Sequence, residues 1–220
     1  YTAMDDHLNN IDLSLIQKYS HRVFMYTEYP HKSFWSKGFD ESDYKAALKE
    51  LFSHKKDTAL MLYVHIPFCP ARCFYCTCHT IVTKDYKRVR RYLGMLFAEI
   101  DLLLNFFKKN SITADFREIH LGGGSPTFLK EKEFDMLIEK LKSIAIIDNL
   151  SEFSMEIDPR EVDKERMKYY YSKGINRISF GVQDFDISVQ KAINRVQPPE
   201  LIERLITPDI RKHFSNGVNF

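Results

Sequence analysis

No apolar run in the 220-residue chain approaches the ~20 residues needed to span a bilayer, which removes a transmembrane helix from consideration. An excess of one charge is lacking too: 32 basic side chains stand against 30 acidic ones, a formal net charge of +2. Electrostatics therefore gives no argument for a nucleic-acid partner or an anionic membrane surface. Internal repeats, low-complexity tracts and Gly/Ser linkers are absent, so neither a solenoid nor a string of tethered modules is expected. The opening residues, "YTAMDDHLNN", have neither the basic nor the apolar region of a secretory signal, and no initiator methionine. A reducing, cytoplasmic setting is expected. Cysteine is scarce as well: four in all, every one inside "HIPFCPARCFYCTCHT", residues 65–80.

Such a cluster makes a poor disulfide framework. Bridges stabilise by closing long loops, and the longest loop available here runs only from Cys69 to Cys78. Clustered thiols in a reducing compartment point to metal or redox chemistry instead. At 44% hydrophobic and 28% charged, the chain has the composition of a globular protein with a sizeable core. The expected organisation is an N-terminal arm over 1–58 followed by one domain over 59–220.

Strands and helices alternate along that domain. "ALMLYVHI", 59–66, is an apolar run of strand length that stops at Pro67 and delivers the chain into the cysteine loop. From Val89 to Phe107, apolar residues recur at steps of three and four, giving a helix of about 20 residues with one apolar stripe. "FREIHL", 116–121, is the second strand, ended by Gly122, Gly123 and Gly124, and a helix patterned on Phe134, Leu137, Ile138 and Leu141 follows. In the third strand, "EFSMEID", Phe153, Met155 and Ile157 face one way and Ser154, Glu156 and Asp158 the other. A helix from about Asp163 to Lys173 stops at Gly174; "RISFGV", 177–182, is the fourth strand, with a short helix over 186–194.

This alternation implies an α/β fold built on a parallel sheet or a (β/α) barrel. In such folds ligands gather at the C-terminal ends of the strands. The cysteine loop, the glycine turn, Glu156 and Gln183 each follow or end a different strand, so four unusual features share one rim.

Cys69, Cys73 and Cys76 are spaced C-x3-C-x2-C, with Cys78 two residues further on. Zinc would take all four thiolates, although its sites usually draw on two separated knuckles. A redox pair of Cys73 and Cys76 leaves the other two unexplained. Three thiolates on one short loop suit three irons of a 4Fe-4S cube, with the fourth iron open to a reactant. A noncatalytic zinc module remains the competing reading, and metal analysis separates the two.

The motif resembles the radical S-adenosylmethionine superfamily. Within it, "YVHIPFCPARCFYCTC", "GGGSPT", "EIDPRE", "GVQDF" and "NRVQ" are similar, in order and spacing, to the oxygen-independent coproporphyrinogen III dehydrogenases of haem biosynthesis. The N-terminal "LIQKYS" and "YTEYP" resemble that family's arm. The resemblance implies a partial (β/α) barrel of radical SAM type with an N-terminal helical arm, cut before the later strands and the C-terminal domain. It assigns Cys69, Cys73 and Cys76 to a 4Fe-4S cluster and leaves Cys78 outside the ligand set. S-adenosylmethionine would be held by Tyr63, Phe74 or Tyr75, Gly123, Gly124, Ser125, Glu156, Gln183 and Arg195. Bare backbone at the glycines meets the methionine amino group, Gln183 the ribose, and Arg195 the methionine carboxylate. His65, beside Tyr63, handles protons near the substrate. A second S-adenosylmethionine beside the first is a family feature carried over with these.

The implied reaction begins with one electron from an external donor such as a flavodoxin or ferredoxin. A 5′-deoxyadenosyl radical then takes hydrogen from a propionate β-carbon, and loss of carbon dioxide and one electron leaves a vinyl group. Two such steps convert coproporphyrinogen III to protoporphyrinogen IX. The runner-up is a related radical enzyme or haem chaperone without that activity. Two family positions differ here: Met25 replaces an arginine of the arm, and Ser125 replaces a threonine. "GVNF", 217–220, falls where a fifth strand is expected to begin, so the fourth strand is expected to be left unpaired and the chain as given to leave coproporphyrinogen unconverted. The longer protein is expected to be a monomer.

Overall fold

The computed structural model describes residues 13–20, 34–35, 38–54 and 58–220. Met25 and the "YTEYP" segment lie outside the described residues. The chain comprises two compact units, Tyr1–Leu48 and Lys49–Phe220. The first contains helix α1, Leu13–Tyr19, and the start of α2, Glu41–His54. Asp40 caps α2 by accepting hydrogen bonds from the Ser42 and Asp43 amides, at 2.7 and 3.1 Å.

The second unit is built on five parallel strands: β1 (Ala59–Ile66), β4 (Asp115–Gly123), β5 (Glu152–Ile157), β6 (Arg177–Phe180) and β7 (Gly217–Asn219), in that spatial order. The order never reverses, as it would in a doubly wound sheet, so the strands form an arc of a barrel. Between β1 and β4 the cysteine segment is closed by a miniature parallel pair, β2 (Phe68–Cys69) and β3 (Ile81–Val82). Helix α3 (Tyr86–Lys109) then crosses back, capped by Asp85 and carrying the buried stripe Val89, Leu93, Ile100 and Phe107. Its last turn ends in Lys108 and Lys109, cations placed where the helix dipole is negative.

Helix α4 (Glu131–Leu141) buries Phe134, Leu137, Ile138 and Leu141, and α5 (Lys164–Ser172) buries Met167 and Tyr170. Three short helices complete the unit: α6 (Ile187–Ala192), α7 (Pro199–Leu205) and α8 (Pro208–Arg211). Strand register aligns Val64, Leu121, Met155 and Ile178 in one buried apolar row across β1, β4, β5 and β6. One position along, Tyr63, His120 and Ser154 form a row on the opposite face. Period-two alternation thus separates core from chemistry.

Three expectations change. Gly122 and Gly123 do not end the second strand; they belong to β4, because Ile66 pairs with Gly123 and the turn starts only at Gly124. The fourth strand stops at Phe180 rather than Val182, since the Gly181 carbonyl is taken by the Arg195 side chain instead of a strand neighbour. Nor is that strand unpaired: β7 lies beside it, with Arg177 opposite Gly217 and Ser179 opposite Asn219.

Candidate functional site

A cavity of about 360 Å³ opens where the strands end. Cys69, Cys73 and Cys76 line one side of it, and Gly123, Gly124 and Ser125 another. Glu156, Gln183, Arg195 and Tyr75 complete the sequence-derived residues on its wall. The rim expected from the strand order therefore gathers segments that are far apart in the chain.

Local hydrogen bonds shape the cysteine loop. The Ile81 amide donates to the Pro67 carbonyl at 2.7 Å, and Cys76 N to Cys73 O at 3.1 Å. Its outer arm is pinned by the end of α6: Phe74 N donates to Ile193 O at 3.0 Å and Asn194 Nδ2 to Arg72 O at 2.8 Å. Asn194 adopts φ of 55°, and Gln183, on the cavity wall, 67°; both are left-handed conformations uncommon for residues with a Cβ. The pinning separates the two loop aromatics. Tyr75 turns into the cavity, whereas Phe74 stands 75% exposed and does not line it. Burial pushes the Tyr75 phenol up to about 12, against the opposing pull of Arg195.

All four thiols are free. Burial, reinforced by the neighbouring Cys76, Asp158, Glu161 and Cys73, pushes the Cys69 thiol up to about 12. To hold sulfurs crowded in this way as thiolates calls for a cationic centre to neutralise them. Among the described residues no three His, Cys, Asp or Glu side chains are gathered tightly enough to hold a single metal ion. A cube makes no such demand, because each of its thiolates binds a different iron. The donor set and the cavity beside it therefore fit a cluster with one open corner.

Backbone approach is equally specific. A Cβ on Gly124 would lie 2.7 Å from the Pro67 oxygen and 2.9 Å from Cys69 Sγ. Gly123, at φ of 119°, has no room either, with His65 and the Ile66 oxygen each at 2.9 Å from such a Cβ. The Ser125 hydroxyl is turned into the protein, bonded to Thr127 Oγ1 and at 3.4 Å from Glu161 Oε2, so the residue presents backbone to the cavity. Glu156 accepts from Gly123 N at 3.1 Å and lies 3.6 Å from His120 Nε2.

Tyr63 and His65 sit beside the cavity rather than on its wall. His65 Nε2 contacts the His79 carbonyl at 2.8 Å, an atom that only accepts, so Nε2 carries the proton and Nδ1 receives the Tyr63 hydroxyl at 3.1 Å. Tyr63 stacks on His120 at 5.7 Å, and His120 Nδ1 meets Ser154 Oγ at 2.8 Å. Burial, with the charge of Glu156 second, raises the Tyr63 pKa.

Several residues escaped the sequence reading. His120 is one; a histidine between Ile119 and Leu121, two residues before the glycines, was its signal. Asp158 and Arg160, inside the quoted "EIDPRE", line the cavity, as does Cys78. Arg195, named through the resemblance, is 8% exposed and bonded to Gly181 O, Gln197 Oε1 and Cys73 Sγ.

The model of the radical SAM superfamily matches residues 63–207. The chain is 37% identical over 202 residues to an oxygen-independent coproporphyrinogen III oxidase of Helicobacter pylori, covering 90% of this chain and 43% of the relative. Against the enzyme of that name from Pseudomonas aeruginosa it is 39% identical over 191 residues, covering 86% and 40%. Coproporphyrinogen III oxidase from Escherichia coli, a radical SAM enzyme, superposes with a TM-score of 0.72 at 32% identity, covering 93% of this chain and 43% of that one. The chain thus belongs to the radical SAM superfamily, whose members use a 4Fe-4S cluster and S-adenosylmethionine. It spans less than half the length of these relatives.

Proposed function

We propose that the chain is the cluster-bearing part of an enzyme that converts two propionates of coproporphyrinogen III to vinyl groups without oxygen, giving protoporphyrinogen IX. The observation that carries this reading is the single cavity in which three free thiols, bare glycine backbone, a carboxylate and a guanidinium meet. Relatives that bear the corresponding name support the choice of substrate.

Cys69, Cys73 and Cys76 would hold three irons. Gly123, Gly124 and Ser125 would offer backbone to the methionine moiety of S-adenosylmethionine, Glu156 would receive its ammonium group or ribose hydroxyls, and Gln183 its ribose. Arg195 would face the carboxylate, and Tyr75 the adenine. When bound, these groups would supply one-electron chemistry able to remove hydrogen from a propionate β-carbon. The protein's own part is to orient that carbon and exclude water. Tyr63 is a contact to the cofactor, and the Tyr63–His65 pair, with its proton fixed on Nε2, is placed to hold and pass a proton near the substrate. A second S-adenosylmethionine, an external flavodoxin or ferredoxin, a cytoplasmic monomer, and the division into an arm at 1–58 and a barrel part at 59–220 complete the reading. Among the described residues no helix is long and apolar enough to cross a membrane.

Anaerobic reconstitution tests the proposal. About four iron and four sulfide per chain are expected, with release of 5′-deoxyadenosine on reduction and formation of protoporphyrinogen IX by the whole protein. One zinc and no sulfide would overturn it. So would haem binding without vinyl formation, which favours a chaperone.

A further inference from the structure

Buried beside Cys73 is a charged network of which the proposed reaction uses only Arg195, and only through its face toward the ligand. Asp158, its side chain 8% exposed, grips Arg160 through two bonds, Nε to Oδ1 at 2.9 Å and Nη2 to Oδ2 at 2.7 Å. The same Oδ2 lies 3.4 Å from Arg195 Nη1. From the far side Arg195 donates through Nη2 and Nε to the Gly181 carbonyl, at 2.8 and 3.2 Å, and through Nε to Gln197 Oε1 at 3.2 Å. Its remaining contact is Nη1 to Cys73 Sγ, at 3.4 Å.

Every nitrogen of this guanidinium is engaged, leaving a single Nη2 hydrogen for any ligand. The protein also accepts a cost to keep it so: with its oxygen turned toward Arg195, Gln197 leaves Nε2 buried without a hydrogen-bond partner among the described residues. Gly181 is shaped to the same end, since a Cβ there would fall 2.7 Å from Arg195 Nη2. A side chain whose only task was to meet a mobile carboxylate would need fewer fixed partners. This one is aimed at a sulfur.

Resting on the cluster assignment above, we propose that Arg195, held by Asp158, Gly181 and Gln197, donates to the Cys73 thiolate and raises the reduction potential of the cluster that Cys73 helps to bind. Reduction adds one electron, from the external donor, to an already anionic centre. A hydrogen bond and a positive charge at one ligand sulfur favour the reduced form, and hydrogen bonds to sulfur are among the determinants of cluster potential. Asp158 serves as a positioning residue: it orients both guanidiniums, which neutralise it in turn.

The test is a redox titration of the reconstituted protein, followed by electron paramagnetic resonance without S-adenosylmethionine, so that no ligand carboxylate enters. Arg195→Gln should keep its iron and sulfide while the ratio of reduced to oxidised cluster at a fixed poise falls about tenfold, equivalent to a midpoint about 59 mV lower for one electron. Arg195→Lys, which retains the charge but not the fork, should fall between the two. An unchanged ratio with full cluster content overturns the inference and leaves the functional proposal intact. A wild-type protein that assembles no cluster overturns both. If Arg195→Gln loses its cluster, the Arg195→Lys ratio decides, and a value equal to wild type refutes the role of the fork.

Discussion

Replacing Gly124 by alanine adds one methyl group where the structure has no room for it. The new Cβ would meet the Pro67 oxygen at 2.7 Å, the Pro67 carbonyl carbon at 2.8 Å and Cys69 Sγ at 2.9 Å. Two of these are backbone atoms at the end of β1, so no rotamer change relieves the contact. Gly124 is itself tied down, its amide donating to Ile66 O at 2.9 Å. Overpacking of this kind costs about 1–3 kcal/mol. For a chain of this size each kcal/mol moves Tm by about 2–4 °C, so the apo-protein should melt about 2–12 °C lower. Gly94→Ala is the matched control. It sits in α3 with nothing within 4 Å of its Cβ, and alanine there should stabilise by about 0.5–1 kcal/mol. Calorimetry on both variants should therefore give shifts of opposite sign. Because the third close atom is Cys69 Sγ, Gly124→Ala should also take up less iron than Gly94→Ala at matched folded fraction. A Gly124→Ala protein with wild-type Tm and iron content would refute the claim that the glycine exists for close backbone approach.

Alanine at Cys69, Cys73 or Cys76 should abolish iron and sulfide uptake, whereas Cys78→Ala should retain it; equal loss in all four, read by metal analysis, would defeat the three-ligand assignment. Glu156→Ala should weaken S-adenosylmethionine binding by about 1.5–3 kcal/mol, roughly 10- to 150-fold in Kd, with the cluster intact, because a charge-assisted hydrogen bond is lost; unchanged calorimetric affinity would return Glu156 to a merely structural contact with Gly123. Burial alone would raise the Asp158 pKa, but Arg160 and Arg195 outweigh it and hold the carboxyl below its usual value. Its stabilisation is therefore present above the unfolded pKa of about 3.9 and lost as pH falls through the lower folded value. Asp158→Asn should cost about 3–5 kcal/mol near neutrality, with the gap to wild type closing below roughly pH 4; parallel curves of Tm against pH would show that the pair contributes nothing.

The first strand was legible to the residue because its apolar run ends at Pro67, a local signal. So was the gathering of Cys69, Gly124, Glu156 and Gln183 on one rim, which follows from strand order alone. What stayed hidden depends on contacts between segments remote in sequence. Nothing local separates Phe74 from Tyr75; the choice is made by Ile193 and Asn194, which grip the loop from 122 residues away in the case of the Asn194–Arg72 bond. Arg195 was reached only through the resemblance; its burial depends on Gly181 and Asp158, arriving on other segments, with Gln197 added from two residues on. The early end of β6 has the same origin, since a carbonyl diverted to a side chain leaves no trace in hydrophobic pattern.

The register of the sheet ties stability to chemistry more tightly than either motif does alone. Val64, Leu121, Met155 and Ile178 form the buried row under the helices, and Tyr63, His120 and Ser154 occupy the row beside it on the other face. A slip of one residue in β4 would turn His120 into the apolar layer and Leu121 out of it, burying a histidine away from its Ser154 and Glu156 partners. The apolar layer thereby fixes which way His120 and Glu156 point, and Glu156 in turn fixes the Gly123 amide at the mouth of the cavity. Selection for a packed core and selection for an aimed site act here on alternate residues of the same strands.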